Sequence, residues 1–521
     1  MEEKGRTYKL SVSSKSILFI CLIILNIILH IQPSMREIGT DSFEIHTQIN
    51  SISEFGYAKW VISLSSFFGL TPASYTSAVQ FFLSSIHQLT GIEMNWMIFL
   101  YGIFLGSSSI FFAYLFAGEI LNNDIFKFLA SFGFSTSSAL LDFSTWTLTT
   151  RGLVLIFTPL FLFVLLRINT ENKIKKQYII LIILLSILIF TSHHLSYFLI
   201  PSFFTLIILI ALYRFNFFSK INSKLTIFLT YCLFLLMLSI PIVFKKFIES
   251  SRYYPFYIDL FRYNGPFFLF AVGSFVFLSL KPNKSFREWF LLLNAIFLTA
   301  FVYNQTYFKH FSAGFIIFLA CIGIFNVIKT QKKATHFIII ILIISISYSG
   351  YYQFLKQYPE NRNISDSAYN SGKWLKYYGN GSGISNDQLL GIRIGSISES
   401  VHFITTSTVV NSAYGFLSLN HSEFTYYPIT SEIFWFNTGK FKKDYGESAW
   451  YNFNMLDFRM SEINATESNV KYIVENTNTN GDIIWKHGPR ESKMLEKTYN
   501  NLGSVYHTNN IRIYFNNEEL F

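Results

Sequence analysis

Three ionisable side chains stand close together near the start of the chain, directly after its first apolar run. Asp41, Glu44 and His46 follow residues 16–31, which are rich in Ile and Leu. If that run crosses a membrane, a carboxylate here can act as general base toward an acceptor hydroxyl or hold a divalent cation, Mg²⁺ or Mn²⁺. The alternatives are helix capping by Asp41 after Thr40, and plain surface exposure for the other two. Asp41 is the predicted catalytic base, with Glu44 and His46 as supporting catalytic candidates.

Two adjacent histidines, His193 and His194, lie at the junction of two later apolar runs. Histidines are costly to keep beside lipid, which favours a function for them. They can donate hydrogen bonds to a phosphate, or one can ligate a metal while the other orients it. A polar turn that faces water is the alternative. No cysteine or third histidine stands nearby in the sequence, which disfavours a closed zinc site and leaves the identity of any metal open.

Asp142 and Arg151 bound the loop that precedes another apolar run. A guanidinium clamps a phosphate through two parallel hydrogen bonds, so Arg151 is a candidate for phosphate binding. Asp142 is a candidate second acid for the same site. The alternative is an arginine that extends from the membrane to water and a solvated aspartate.

Cations and aromatic rings are combined in two further loops. Arg252 lies among tyrosines, and Lys309 and His310 follow Tyr307. Positive charge beside aromatic rings suits an anionic lipid headgroup or a sugar phosphate. Each lysine taken alone is more often a solvated surface charge. Together they indicate an anionic ligand near one membrane surface.

Composition identifies the class of protein that must position these residues. The 521 residues are 51% hydrophobic and only 14% charged, which is typical of an integral membrane protein. The formal net charge of +10 is spread over loops between apolar runs, which argues against nucleic acid as a partner. The sequence has no Gly-rich nucleotide-binding loop, Gly-x-Ser-x-Gly, Cys-x-x-Cys or His-Glu-x-x-His motif, which disfavours a nucleotide-driven pump.

Apolar runs predict about eleven transmembrane helices in residues 1–354. Lys and Arg cluster in alternate loops, so these loops are predicted to be cytoplasmic, the N-terminus inside and the C-terminal part outside. A long first outer loop, residues 33–93, is predicted to hold interfacial helices at Val61–Leu70 and Ala78–Leu89. The predicted spans are 16–32, 94–117, 125–141, 152–167, 178–193, 195–213, 225–244, 266–280, 290–304, 311–328 and 337–354.

Residues 355–521 differ from the preceding part, because polar residues rise and apolar runs shrink to strand length. This pattern predicts a second, extracytoplasmic domain of mixed α/β structure, large enough for its own core. Its predicted elements are a helix at Ser365–Tyr378, strands at Val401–Val410 and Val470–Val474, a helix at Arg490–Asn500, and strands near Val505 and at Ile511–Phe515.

The arrangement resembles the GT-C superfamily of membrane glycosyltransferases. It is similar to archaeal members that use dolichyl-phosphate sugars and, more distantly, to oligosaccharyltransferases and protein mannosyltransferases. The residues that carry the resemblance are Asp41-Ser-Phe-Glu-Ile-His46, Glu54-Phe-Gly56, Leu89-Thr-Gly91, Thr150-Arg-Gly152, His193-His194-Leu-Ser196 and, in the last third, Val470-Lys-Tyr-Ile-Val474, Val505-Tyr506 and Ile513-Tyr514.

The resemblance implies a GT-C-like membrane domain and transfer of a sugar from a polyprenyl phosphate, such as dolichyl phosphate, to an extracytoplasmic acceptor. The acceptor is a glycan, lipid or protein, and membrane lipids are partners. Asp41 then takes the role of the base, and the cations take the donor phosphate. These cations are Arg151, His193, His194, Arg252, Lys309 and His310.

Two differences from these families narrow the range of possible acceptors. The Trp-Trp-Asp-Tyr-Gly motif of oligosaccharyltransferases is absent, which argues against peptide N-glycosylation, and the paired acids of protein O-mannosyltransferases are absent too. A lipid-linked or protein-linked glycan is therefore the favoured acceptor. Two other functions stay open: a non-catalytic GT-C-like scaffold that binds lipid or glycan, and a flippase or transporter of lipid-linked sugars.

Overall fold

The structure is a computed structural model, and its chain falls into two compact units. The helical unit comprises residues 1–34, 99–145 and 150–356, and the mixed unit comprises residues 35–98, 146–149 and 357–521. The residues that the structure describes are 9–32, 34–59, 77–170, 173–174, 176–217, 222–243, 253–301, 308–331, 333–356, 363–385, 387–405, 407, 410, 413–415, 470–477 and 503–515.

Helices account for most of the described chain. In chain order they are α1 (Val12–His30), α2 (Thr40–Phe55), α3 (Ala78–Thr90), α4 (Met94–Ile120), α5 (Asp124–Ser135), α6 (Ser138–Leu141), α7 (Thr150–Arg167), α8 (Lys176–Ser192), α9 (Ile200–Arg214), α10 (Ser223–Val243), α11 (Tyr253–Asn264), α12 (Phe267–Leu280), α13 (Phe286–Leu298), α14 (Phe308–Thr330), α15 (Ala334–Lys356), α16 (Asp366–Tyr378) and α17 (Gln388–Ser398). Short 3₁₀ turns cover His194–Leu199 and Thr299–Phe301.

Six helices in the described ranges are long and apolar enough to cross a membrane, or seven if the bent pair α11 and α12 is one span. Helix α8 and the part Ser223–Ser239 of α10 are apolar but shorter. The protein is therefore an integral membrane protein with a mostly helical membrane part, as predicted. The predicted total of about eleven spans is not confirmed.

Breaks within apolar runs explain part of this difference. The predicted span 125–141 is divided, because α5 ends at Ser135 and Ser137 begins α6 by accepting a hydrogen bond from the Leu140 amide. The run that contains α12 is bent by 106° from the preceding α11. A 3₁₀ turn at His194–Leu199 precedes α9, but Ser196–Arg214 is still one of the six candidate spans and matches the predicted span 195–213.

A five-stranded sheet lies in the mixed unit. Its strands are β3 (Gly381–Ser385), β4 (Val401–Ile404), β5 (Val470–Asn476), β6 (Ser504–His507) and β7 (Ile511–Phe515), after a two-stranded ribbon of β1 (Asn169–Thr170) and β2 (Lys173–Ile174) in the helical unit. The order is β4-β3-β5-β7-β6. The first three strands are parallel, and β7 pairs antiparallel with both of its neighbours. The sheet confirms the predicted mixed α/β composition near the C-terminus.

The sheet and helices α2, α16 and α17 share one apolar core. Phe43, Leu375, Ile394, Phe403 and Ile513 are all fully buried in it. Residues of α2 thus pack with the C-terminal elements, whereas the sequence had assigned the first outer loop to residues 1–354. A helix, α3, is observed where one was predicted at Ala78–Leu89, and its interfacial position stays a prediction. The predicted interfacial helix at Val61–Leu70 and the predicted C-terminal helix at Arg490–Asn500 lie outside the described residues.

Candidate functional site

A tight turn ahead of α2 positions the first candidate residues. Gly39 has a φ of 94°, a backbone conformation that side-chain-bearing residues rarely adopt, and α2 begins at the next residue. On the other side of the turn, the amide of Ile38 donates to the carbonyl oxygen of Trp146 at 2.9 Å. The turn therefore brings residues that precede α2 back beside its first two turns.

Glu37 is the buried centre of this turn. It is 4% exposed, and its Oε1 accepts a hydrogen bond from the Ser42 hydroxyl at 2.5 Å. Its Oε2 lies 2.6 Å from Nδ1 of His46, which is also 4% exposed. Ser42 Oγ in turn accepts from the amide of Leu148 at 2.7 Å. Because an ionised carboxylate only accepts hydrogen bonds, Nδ1 of His46 carries a proton in this arrangement.

Asp41 and Glu44 lie on a different side of α2 from His46. Residues three apart share a helix face, whereas His46 is rotated by about 140° from Asp41 at 100° per residue. Asp41 is exposed in the first turn of the helix, where the helix dipole favours a carboxylate. Glu44 accepts a hydrogen bond from the Ser407 hydroxyl at 2.6 Å. The predicted three-residue cluster is thus two acids on one side and a buried histidine on another.

A cleft in the mixed unit adjoins the buried side of α2. Its empty volume is about 410 Å³, including the part open to solvent. Glu37 and His46 lie in its wall, with Tyr369 and Lys373 of α16. A hydrogen bond with Tyr369 raises the pKa of the Lys373 ammonium. Polar, aromatic and apolar groups therefore meet in one concave surface, which is typical of small-molecule sites.

In the helical unit, Asp142 and His310 form a second candidate group. Asp142 follows α6 directly, and its Oδ2 lies 3.2 Å from Nε2 of His310. The imidazole of His310 is buried between the rings of Phe143 and Tyr263, at centroid distances of 4.5 and 4.2 Å. The neighbouring Lys309 forms an ion pair of 2.7 Å with Asp259. Any phosphate that binds Lys309 must compete with this carboxylate.

Three of the remaining predicted phosphate ligands lie in or near other helices of the helical unit. Arg151 is partly buried in the first turn of α7. His193 is 6% exposed directly after α8, and His194 begins the 3₁₀ turn that follows. Arg252 lies outside the described residues.

The donor set for a metal ion is incomplete in the described part of the chain. There, no group of three or more His, Cys, Asp or Glu side chains is arranged to hold one. The pairs Glu37–His46 and Asp142–His310 each offer one carboxylate and one imidazole. These residues do not form a closed four-ligand site of the zinc type.

Glu37 is a site residue that the sequence analysis did not identify. It precedes α2, and its spacing of nine residues from His46 corresponds to no helical or strand repeat. The available signal was Gly39, a glycine between an acid and a helix with polar residues on its buried side. Ser407, which contacts Glu44, is distant in the sequence and carried no signal.

The fold is similar to that of an oligosaccharyltransferase from the archaeon Archaeoglobus fulgidus. The structure tethered with an acceptor peptide containing the NVT sequon has a TM-score of 0.55 and 11% identity, and covers 90% of this chain and 69% of that chain. The complex with Zn and sulfate has a TM-score of 0.52 and 12% identity, and covers 88% of this chain and 68% of that chain. The complex of this enzyme, AglB, with an inhibitory peptide and a dolichol-phosphate has a TM-score of 0.53 and 13% identity. It covers 90% of this chain and 70% of that chain.

Neither a family model nor a curated protein sequence matches the chain. At identities of 11–13%, the likeness to solved structures concerns the fold. It extends over most of the chain, and it confirms the structural resemblance predicted from the sequence.

Proposed function

We propose that this protein is a membrane glycosyltransferase that moves a sugar from a polyprenyl phosphate donor, such as dolichyl phosphate, to a glycan acceptor. The observation that carries the proposal is the fold shared with an oligosaccharyltransferase over 90% of the chain. One solved structure with this fold holds a dolichol-phosphate and another an acceptor peptide. The exposed carboxylate of Asp41 at the start of α2 supplies a group for the chemistry.

In the proposed reaction, Asp41 removes the proton from the acceptor hydroxyl as its oxygen attacks the anomeric carbon of the donor sugar. The bond between that carbon and the phosphate oxygen breaks, and the lipid phosphate leaves with the electron pair. Attack from the opposite side inverts the anomeric centre. Because negative charge grows on the leaving phosphate, nearby cations lower the barrier.

Arg151, His193, His194, Arg252, Lys309 and His310 are the proposed phosphate ligands. Arg151 is the best suited of the described residues, since a guanidinium binds phosphate oxygens in pairs and holds its charge at every physiological pH. His310 already has Asp142 as a partner, which fixes the orientation of its imidazole. In this proposal Asp142 acts through His310, rather than as a second acid in contact with substrate.

The proposed reaction assigns no step to a metal ion. One solved structure with this fold is a complex with Zn and sulfate, whereas the described residues of this chain offer only pairs of metal-binding side chains. Mg²⁺ or Mn²⁺ needs fewer protein ligands than zinc, because it keeps waters and takes oxygens from substrate phosphates. A chelator titration of the transfer reaction decides whether such an ion is required.

The substitution Asp41→Asn tests the proposal. With the protein in lipid nanodiscs, a polyprenyl-phosphate sugar and a glycan acceptor, we expect at least a hundredfold loss of transfer, since the amide cannot take the proton. Asp366→Asn is the matched control, because Asp366 is also an exposed acid in the first turn of a helix. Full activity in Asp41→Asn would rule out this base.

The same assay separates the other two functions. A flippase moves the labelled donor lipid across liposome membranes and forms no glycosidic bond. A non-catalytic scaffold binds the donor lipid and does neither. A peptide with an Asn-x-Thr sequence, offered in place of the glycan, tests protein N-glycosylation. Transfer of the sugar to its asparagine would show that the predicted glycan acceptor is wrong.

A further inference from the structure

The buried side of α2 contains a histidine nitrogen with an unfilled hydrogen-bonding position. Nε2 of His46 is inaccessible to solvent and has no hydrogen-bond partner among the described residues. The side chain is more than nine-tenths buried and lies in the wall of the cleft that also contains Tyr369. A buried polar atom without a partner costs stability, so its retention beside a cleft points to a ligand.

The hydrogen bonds around Glu37 determine whether Nε2 of His46 donates or accepts a hydrogen bond with that ligand. The Leu148 amide donates to Ser42 Oγ, which leaves the Ser42 hydrogen for Glu37 Oε1. Glu37 Oε2 then accepts from the Nδ1 proton of His46. With Nδ1 protonated, the Nε2 of a neutral imidazole has a free lone pair. The ligand group that meets it is therefore a donor, such as a hydroxyl.

The charges of the cleft favour an uncharged ligand. Lys376 forms an ion pair of 2.7 Å with Glu399, and Lys373 lies 3.9 Å from Glu93. Each ammonium is thus offset by a carboxylate, and an anionic ligand would have to break these pairs. A neutral ligand with several hydroxyls can donate to the carboxylates and accept from the lysines at once.

Apolar groups complete the cleft. Phe43, Ile364 and Ile397 lie in its wall, and the ring of Tyr369 contacts the ammonium of Lys373 at 4.9 Å from its centroid. A sugar ring presents C–H groups on its faces and hydroxyls around its edge, which matches this mixture of surfaces.

We propose that this cleft binds a neutral sugar residue, with His46 Nε2 accepting a hydrogen bond from a sugar hydroxyl and Glu37 holding the imidazole in the required tautomer. His46 is then a binding residue and Glu37 a positioning residue. The assignment of this sugar to the acceptor glycan rests on the proposed function. The binding itself does not, since it requires no donor lipid.

The experiment measures saturation-transfer NMR from the full chain in nanodiscs to glucose, galactose, mannose and N-acetylglucosamine, each alone and without donor. We expect transfer to at least one of them. The variant Glu37→Gln should reduce the signal at least fivefold: its carbonyl still accepts from Ser42, but its amide donates to Nδ1 and so places the His46 proton on Nε2. The fold is retained because the shape is unchanged.

Tyr369→Ala is the second variant, with Tyr377→Ala on the same helix as its control, because Tyr377 is 70% exposed and lies outside the cleft. Tyr369→Ala should lose the signal and Tyr377→Ala should keep it. The proposal is overturned if no sugar receives transfer, if Glu37→Gln binds as the wild type does, or if an uncharged peptide displaces the sugar. Loss of transferase activity with intact sugar binding contradicts only the proposed function.

Discussion

Glu37 accepts two hydrogen bonds in an almost fully buried position. Both Ser42 and His46 depend on its oxygens, and the three residues join the turn at Gly39 to the body of α2. Hydrogen bonds to a charged group are stronger than those between neutral groups. The turn geometry that exposes Asp41 therefore depends on a residue that has no part in the proposed chemistry.

Replacing Glu37 by Ala should lower the free energy of unfolding by about 1–3 kcal/mol, because Ser42 and His46 lose a buried partner. Thermal unfolding in detergent measures the change. Asp366→Ala is the control, since its ion pair with Arg36 is largely exposed and such pairs contribute about 0–1 kcal/mol. Equal unfolding temperatures for the two variants would contradict a stabilising role for Glu37.

Single residues could be proposed from the sequence where the pattern is local. Asp41 and Glu44 are candidates because they follow an apolar run and stand three residues apart. The pairing of His46 with Glu37 could not, since it requires the turn at Gly39. The contact of Asp142 with His310 joins residues 168 positions apart, and a single sequence gives no register for such a pair.

At the scale of helices, small residues allow α1 and α4 to approach closely. Asn26 and His30 of α1 are buried, and His30 Nε2 lies 2.9 Å from the Ser144 hydroxyl. A Cβ added at Gly106 would overlap Asn26, and one at Gly102 would overlap the backbone oxygen of Ser144. Small residues at such positions are a common device for packing membrane helices.

Gly102→Ala should therefore destabilise the protein by about 1–3 kcal/mol, the usual cost of overpacking a rigid neighbour. Gly273→Ala in α12 is the matched control, because a Cβ there meets no atom within 4 Å. The control should be neutral, or gain up to about 1 kcal/mol from better helix propensity. Unfolding of both variants in the same detergent gives the comparison, and a stable Gly102→Ala would argue against this close contact.

Helix positions were predicted better than helix breaks. The runs at 94–117, 311–328 and 337–354 correspond to α4, α14 and α15 with ends that differ by three residues or fewer. The interruption after Ser135 escaped prediction because the four polar residues 135–138 lie between two apolar stretches and leave the mean hydropathy of the run high. Hydropathy reports that a run is apolar, but the breaks depend on local side-chain hydrogen bonds such as that of Ser137.

At the scale of the whole molecule, ion pairs link loops that the charge pattern assigns to one membrane side. Glu119, 2% exposed, contacts Arg167 and Arg287. Asp124 contacts Lys15 at 2.9 Å. The loop from Glu119 to Asp124 lacks a basic bias of its own, but these contacts place it with basic segments of the helical unit. Which side of the membrane this is stays a prediction.

Cysteine labelling tests that orientation. The natural cysteines are Cys21, Cys232 and Cys321, which are first replaced by serine. A cysteine in place of exposed Tyr377 should react with a membrane-impermeant maleimide in intact cells. A cysteine in place of Lys329, at the end of α14, should react only after permeabilisation. The opposite pattern would reverse the predicted topology.

The hydrogen bonds of α2 also impose an order on folding. Asn50 donates to the carbonyl oxygen of Ser396, 346 residues later, and β3 pairs with β5 only after residue 470 has been made. Contacts this distant in sequence form slowly, because a long loop must close first. Helix α2 therefore leaves the ribosome well before its partners have been synthesised. Until then, the polar side of α2 that is buried in the final structure is exposed to water or to the lipid surface. Helix α2, which begins beside Asp41, therefore completes its packing only after the C-terminal elements have been made.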